Sequence, residues 1–71
     1  MDIRRQVGAN VRRLRKQRGW SQEELAFESG LHRTYISGVE RGVRNPTVLV
    51  VQEIAAVLGV PAAKLLEATR R

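Results

Sequence analysis

The chain contains no cysteine among its 71 residues, which excludes disulfides, thiolate zinc sites and cysteine nucleophiles and fits a reducing compartment, the cytoplasm by default. Histidine is almost as scarce. His32 stands alone, so neither a metal-ligand set nor the positioned acid and base of an enzyme can be assembled around it. No apolar run approaches the roughly 20 residues that span a bilayer. The opening Met1-Asp2-Ile3-Arg4-Arg5-Gln6 leads into no apolar signal segment. A soluble, non-enzymatic chain is expected, with no metal, no cofactor and no room for a domain that senses a small-molecule effector. Residues 1–71 make one domain, near the lower size at which a single apolar core suffices.

Acidic residues are also in deficit, 7 against 13 lysines and arginines, for a net charge of +6. A polyanion is the partner such a balance implies. The charge is patterned. Arg4, Arg5, Arg12, Arg13, Arg15, Lys16 and Arg18 crowd the start, and Arg33, Arg41 and Arg44 cluster in the middle. A basic amphipathic start could lie on an anionic membrane surface. However, its apolar stripe is needed for the core of so small a domain, and the turn and capping signals that follow belong to a folded bundle.

Those signals spell an all-α chain of five helices. Ile3, Val7, Val11 and Leu14 recur at spacings of four, four and three, one stripe of a first helix, with Asp2 able to cap its start and Gly19 to end it. Ser21-Gln22-Glu23-Glu24 matches the Ser-x-x-Glu capping box and opens a second helix that turns Leu25 and Ala26 inward. Gly30 stops it after about two turns. A third helix is predicted over Arg33 to Arg41, with His32 at its N-cap and Gly42 beyond its end. Pro46 pushes Asn45 away from helical angles and marks a loop. Thr47 then caps a fourth helix whose inward stripe reads Val48, Val51, Ile54, Ala55 and Leu58, ending at Gly59. Pro61 suits the first turn of a short fifth helix carrying Leu65 and Leu66.

Two short helices joined by a tight glycine turn set the second across the first, so that its outer face can enter a DNA major groove. On the third helix Ile36 and Val39 face the core, while Arg33, Thr34, Ser37 and Gly38 fall on the open side. Arginine can bridge O6 and N7 of guanine, threonine can bond or pack on thymine, and small residues admit close approach. Gln22, Arg44 and Asn45 bracket the same surface with phosphate-binding groups. His32 reads as a helix-start residue near phosphate, Tyr35 as a ring packed on the domain with its hydroxyl free for DNA, and Trp20 as core. Glu23 and Glu28 read as solvated charges.

The stretch Trp20 to Pro46 resembles the helix-turn-helix family of lambda-type phage repressors and Cro, and Leu14-Arg15 before it and Ile54-Ala55 and Leu58-Gly59-Val60 after it extend the likeness over nearly the whole chain. Within that family, compact length and the run His32-Arg33-Thr34-Tyr35-Ile36-Ser37-Gly38 resemble the controller proteins of bacterial restriction-modification systems. The resemblance implies a five-helix lambda-repressor-like domain in which Arg33 and Thr34 touch base edges, Tyr35 and Ser37 meet backbone or nearby bases, Gln22 holds a phosphate, and Arg44 reaches DNA. It further implies a partly buried structural ion pair between Arg15 and Glu40. Val43 stands where the family often carries lysine, so the resemblance does not carry over a phosphate contact at that position.

The fourth helix has more apolar surface than one core needs. Leu49, Val50, Ala56 and Val57, with Val60 and Leu66, are expected to form a two-fold dimer interface. Such a homodimer presents two reading helices to inverted half-sites about one helical turn apart. Occupancy near a promoter would then block RNA polymerase or, from upstream, recruit it. A phage-type repressor or antitoxin-type regulator would share this head, and neighbouring genes for an endonuclease and a methyltransferase would single out a controller. A helical protein-interaction module, the remaining class, predicts no salt-dependent binding to duplex.

Overall fold

The computed structural model describes residues 2–68, which form helices α1 (Ile3–Gln17), α2 (Gln22–Ser29), α3 (Arg33–Glu40), α4 (Val48–Leu58) and α5 (Ala62–Leu65). Among the described residues there is no strand, and no helix is long and apolar enough to cross a membrane. Three helices begin at side chains that satisfy a free first-turn amide. The Asp2 carboxylate accepts from the Arg4 amide at 2.9 Å, and Thr47 Oγ1 accepts from the Val50 amide at 3.1 Å. Ser21 and Glu24 form the reciprocal box, at 3.0 Å to the Glu24 amide and 2.7 Å from the Ser21 amide. Two boundaries differ from expectation. Helix α3 stops at Glu40, with Arg41 as its cap, and Pro61 occupies the extended N-cap of α5 instead of its first turn.

One face of every helix enters a single core. It comprises Val7, Val11 and Leu14 of α1, Leu25 and Ala26 of α2, Ile36 and Val39 of α3, Val51, Ile54, Ala55 and Leu58 of α4, and Leu65 of α5. Trp20 packs half-buried against this cluster, with the Arg18 guanidinium 4.5 Å from its ring centroid. The indole therefore serves the fold, as the sequence suggests. Val48 does not follow the inward stripe: it is 88% exposed. The stripe overruns the core by one turn there, so Val48 lines an open apolar groove with Ile3, Val7, Pro46, Val51 and Leu66.

Polar side chains of α1 tie the remaining layers to it. Asn10, fully buried, donates its amide to the carbonyls of Leu65 and Glu67, each at 2.9 Å. Gln6 donates to the Leu66 carbonyl at 2.6 Å. These two amides satisfy carbonyls at the end of α5 that no further helical turn could reach. Near the other end of α1, Arg15 grips Glu40 of α3 with two hydrogen bonds, Nε to Oε2 at 2.7 Å and Nη2 to Oε1 at 3.0 Å. Its third nitrogen donates to the Trp20 carbonyl at 2.8 Å. Hydrogen bonding to Glu40 holds the Arg15 guanidinium above its ordinary pKa, against the opposing cost of burial.

The backbones of α1 and α3 also touch. A methyl group at Gly8 would overlap the Val39 carbonyl oxygen and lie 2.7 Å from that of Glu40. Alanine is the better helix former by about 1 kcal/mol, yet here it must push two backbones apart. Gly8→Ala should therefore lower unfolding stability, by about 1–3 kcal/mol in a urea titration; a more stable variant would show that the helices are not in contact. Arg15→Met leaves a carboxylate buried without its partner and should cost about 3–5 kcal/mol, part of which Arg15→Met with Glu40→Met regains. A single variant as stable as the parent would remove the pair from the account.

Candidate nucleic-acid interface

The turn between α2 and α3 is made by Gly30, whose left-handed backbone (φ 73°, ψ 21°) ends α2 while its amide bonds back to the Ala26 and Phe27 carbonyls. Two residues later His32 is extended and begins α3, its carbonyl accepting the amides of Tyr35 and Ile36 at 3.0 Å. Its imidazole makes no capping hydrogen bond and is exposed. Ile36 and Val39 are buried, which fixes the rotation of α3 and leaves Arg33 and Thr34 exposed at its first turn. An arginine and a threonine here have both hydrogen-bonding capacity and reach.

Around this turn the other expected residues divide. Ser37 is half-exposed, and its Oγ accepts from Arg41 Nε at 3.4 Å. Tyr35 is half-buried, with the Arg44 guanidinium 5.7 Å from its ring centroid. Gly38 is not on the open side. It is buried, because the loop after α3 folds back over it: its carbonyl accepts the Val43 and Arg44 amides at 3.0 and 3.2 Å, and the Arg44 stem lies across its Cα. Gln22 is half-buried and its amide nitrogen donates to Glu40 Oε1 at 3.0 Å, which places it in the ion-pair network of the fold. Asn45 is exposed at the rim of the apolar groove that Ile3 and Val48 line, beside Arg4.

Arg41 is the residue that sequence reasoning left out of the site. It is exposed, follows α3 directly, and bonds Ser37 one turn back; the four-residue spacing from Ser37 was the available signal. With Arg33 and Arg44 it gives this face three cations, while Glu40 at the base of α3 is neutralised by Arg15. The outer face of α2 is the opposite in charge. There Phe27, 84% exposed, borders a shallow hollow with Glu23, Glu24 and Glu28.

Residues 11–65 match the helix-turn-helix family model. The chain is 46% identical over 69 residues to the uncharacterized HTH-type transcriptional regulator y4dJ of Sinorhizobium fredii, covering 97% of this chain and 90% of that one. It is also 46% identical over 69 residues to the control protein C.BamHI of Bacillus amyloliquefaciens, covering 96% and 85% of the two chains. Among solved structures it superposes on the restriction-modification controller protein C.AhdI of Aeromonas hydrophila with a TM-score of 0.84 at 42% identity, covering 87% of this chain and 94% of that one. The turn at Gly30, the helix it presents and these likenesses agree: the chain belongs to the helix-turn-helix family.

Proposed function

We propose that this protein binds duplex DNA sequence-specifically through α3 and regulates transcription as a homodimer, as the controller of a restriction-modification system. The observation that carries the reading is the pair Arg33 and Thr34, exposed at the start of a helix whose opposite side is locked into the core by Ile36 and Val39. Side chains so held reach base edges without loss of register. His32, Ser37, Tyr35, Arg41 and Arg44 supply backbone and groove contacts around them, and Gln22 uses the amide hydrogen that Glu40 does not take. The likeness to C.BamHI and C.AhdI favours the controller role over a phage-type repressor or an antitoxin-type regulator. A bacterial cytoplasm is the setting that such a target requires.

The homodimer rests on uncovered apolar surface. Leu49 is 66% and Leu66 48% exposed, as are Val48 and Ile3 at 88% and 52%, and exposed apolar side chains of this size favour burial against a partner. Ala56 adds to this surface, whereas Val50, Val57 and Val60 are already half-buried against their own core and contribute only their outer edges. Two-fold pairing through this surface sets the two copies of α3 about 34–36 Å apart, matching inverted half-sites one turn apart. Bound beside a promoter, such a dimer excludes RNA polymerase, and from an upstream site it recruits it.

Selection from a random duplex pool should recover an inverted repeat. On that duplex Arg33→Ala should lose about 1–3 kcal/mol of binding and relax preference at one base pair; an equal loss on unrelated DNA would reduce Arg33 to a phosphate contact. Leu49→Asp should halve the sedimentation mass, retain helicity and weaken binding to the paired site about 100-fold or more. An unchanged mass would exclude this surface from the dimer.

A further inference from the structure

Glycine in the middle of a helix lowers its stability relative to alanine, and Gly38 sits in the interior of a helix only eight residues long. Its neighbours show what that cost secures. A Cβ built on Gly38 would stand 2.5 Å from Arg44 Cγ, 3.4 Å from its Nε and 3.5 Å from its Cδ. The amides of Val43 and Arg44 bond the Gly38 carbonyl, so the chain returns across α3 at this residue. From there the Arg44 side chain runs along the helix to the Tyr35 ring, 5.7 Å from its centroid. Tyr35 and Gly38 are three residues apart and share one face. Arg44 is thus laid along α3 toward its first turn, where Arg33 and Thr34 stand.

We infer that Gly38 is a positioning residue for DNA binding: its missing side chain forms the seat that orders Arg44 along α3 before DNA arrives. This rests on the reading of α3 as the DNA-facing helix and adds a role for a glycine that meets no base itself. An arginine ordered in advance binds at a smaller entropic loss than one freed into solvent. The carbonyl of Gly38 folds the loop and its bare Cα admits the arginine stem. Tyr35 holds the guanidinium by its ring face.

The test is a double-variant cycle on the duplex selected from a random pool, with thermal unfolding measured in parallel. Gly38→Ala should weaken binding roughly two- to tenfold, the range expected from releasing one long side chain, while its unfolding temperature stays equal or rises because alanine favours the helix. In an Arg44→Ala background the same change should alter binding less than about twofold, since the space is already free. Equal losses in both backgrounds, or a binding loss that follows a fall in unfolding temperature, would overturn the inference. Absence of binding by the parent protein would overturn the DNA reading itself. NMR order parameters of the arginine side chains test the seat without any variant: in the free protein the Nε–H of Arg44 should be more ordered than that of exposed Arg33, and equal mobility would contradict it.

Discussion

The contact on which the other features depend is the paired hydrogen bond between Arg15 and Glu40. A carboxylate at the C-terminal end of α3 faces the negative end of that helix and would be disfavoured alone. Arg15, near the C-terminal end of α1 where a cation is favoured, offsets it. The same guanidinium holds the Trp20 carbonyl, and the same carboxylate receives the Gln22 amide. One ion pair therefore fixes α1, the entry to α2 and the base of α3 in a single arrangement. A buried pair of this kind adds little net stability compared with well-packed apolar residues, but breaking one side of it is costly. Its value lies in specifying geometry.

Geometry matters because α3 is too short to exist by itself. Isolated helices of fewer than about 12–15 residues are marginal in water, and α3 has eight. Its order comes from three attachments: Ile36 and Val39 in the core, the close approach of α1 at Gly8, and Glu40 at its base. With its inner side committed in this way, α3 leaves its first turn projecting with Arg33 and Thr34. The outer face of α2, with Phe27 among three glutamates, carries charge of the sign that DNA repels. Beside the first turn of α3, by contrast, the exposed charges are Arg33, Arg41 and Arg44.

Side-chain capping was legible in the sequence, although Pro61 proved to be the N-cap of α5 and not its first turn. Asp2, Thr47 and the Ser21–Glu24 box are short-range signals, and each stands where the pattern places it. Most of the core followed from periodicity, and the ion pair from the family resemblance. What escaped depends on contacts between distant segments. Gly38 reads as an open small residue until the loop carrying Arg44 is seen to fold over it. Val48 continues the stripe of Val51 and Ile54 by spacing, and only the position of α1 and α5 shows that the core ends before it. Asn10 and Gln6 look like solvent-facing amides of α1, since nothing local announces that the carbonyls of Leu65, Leu66 and Glu67 will need donors.

Amide NMR shifts during titration with the selected duplex report, residue by residue, which surface of the protein meets DNA. The largest changes should fall at His32 to Ser37 and at Val43 to Asn45, with Glu23, Phe27 and Glu28 nearly still. Changes centred on α2's acidic outer face, with the first turn of α3 unmoved, would contradict binding through α3.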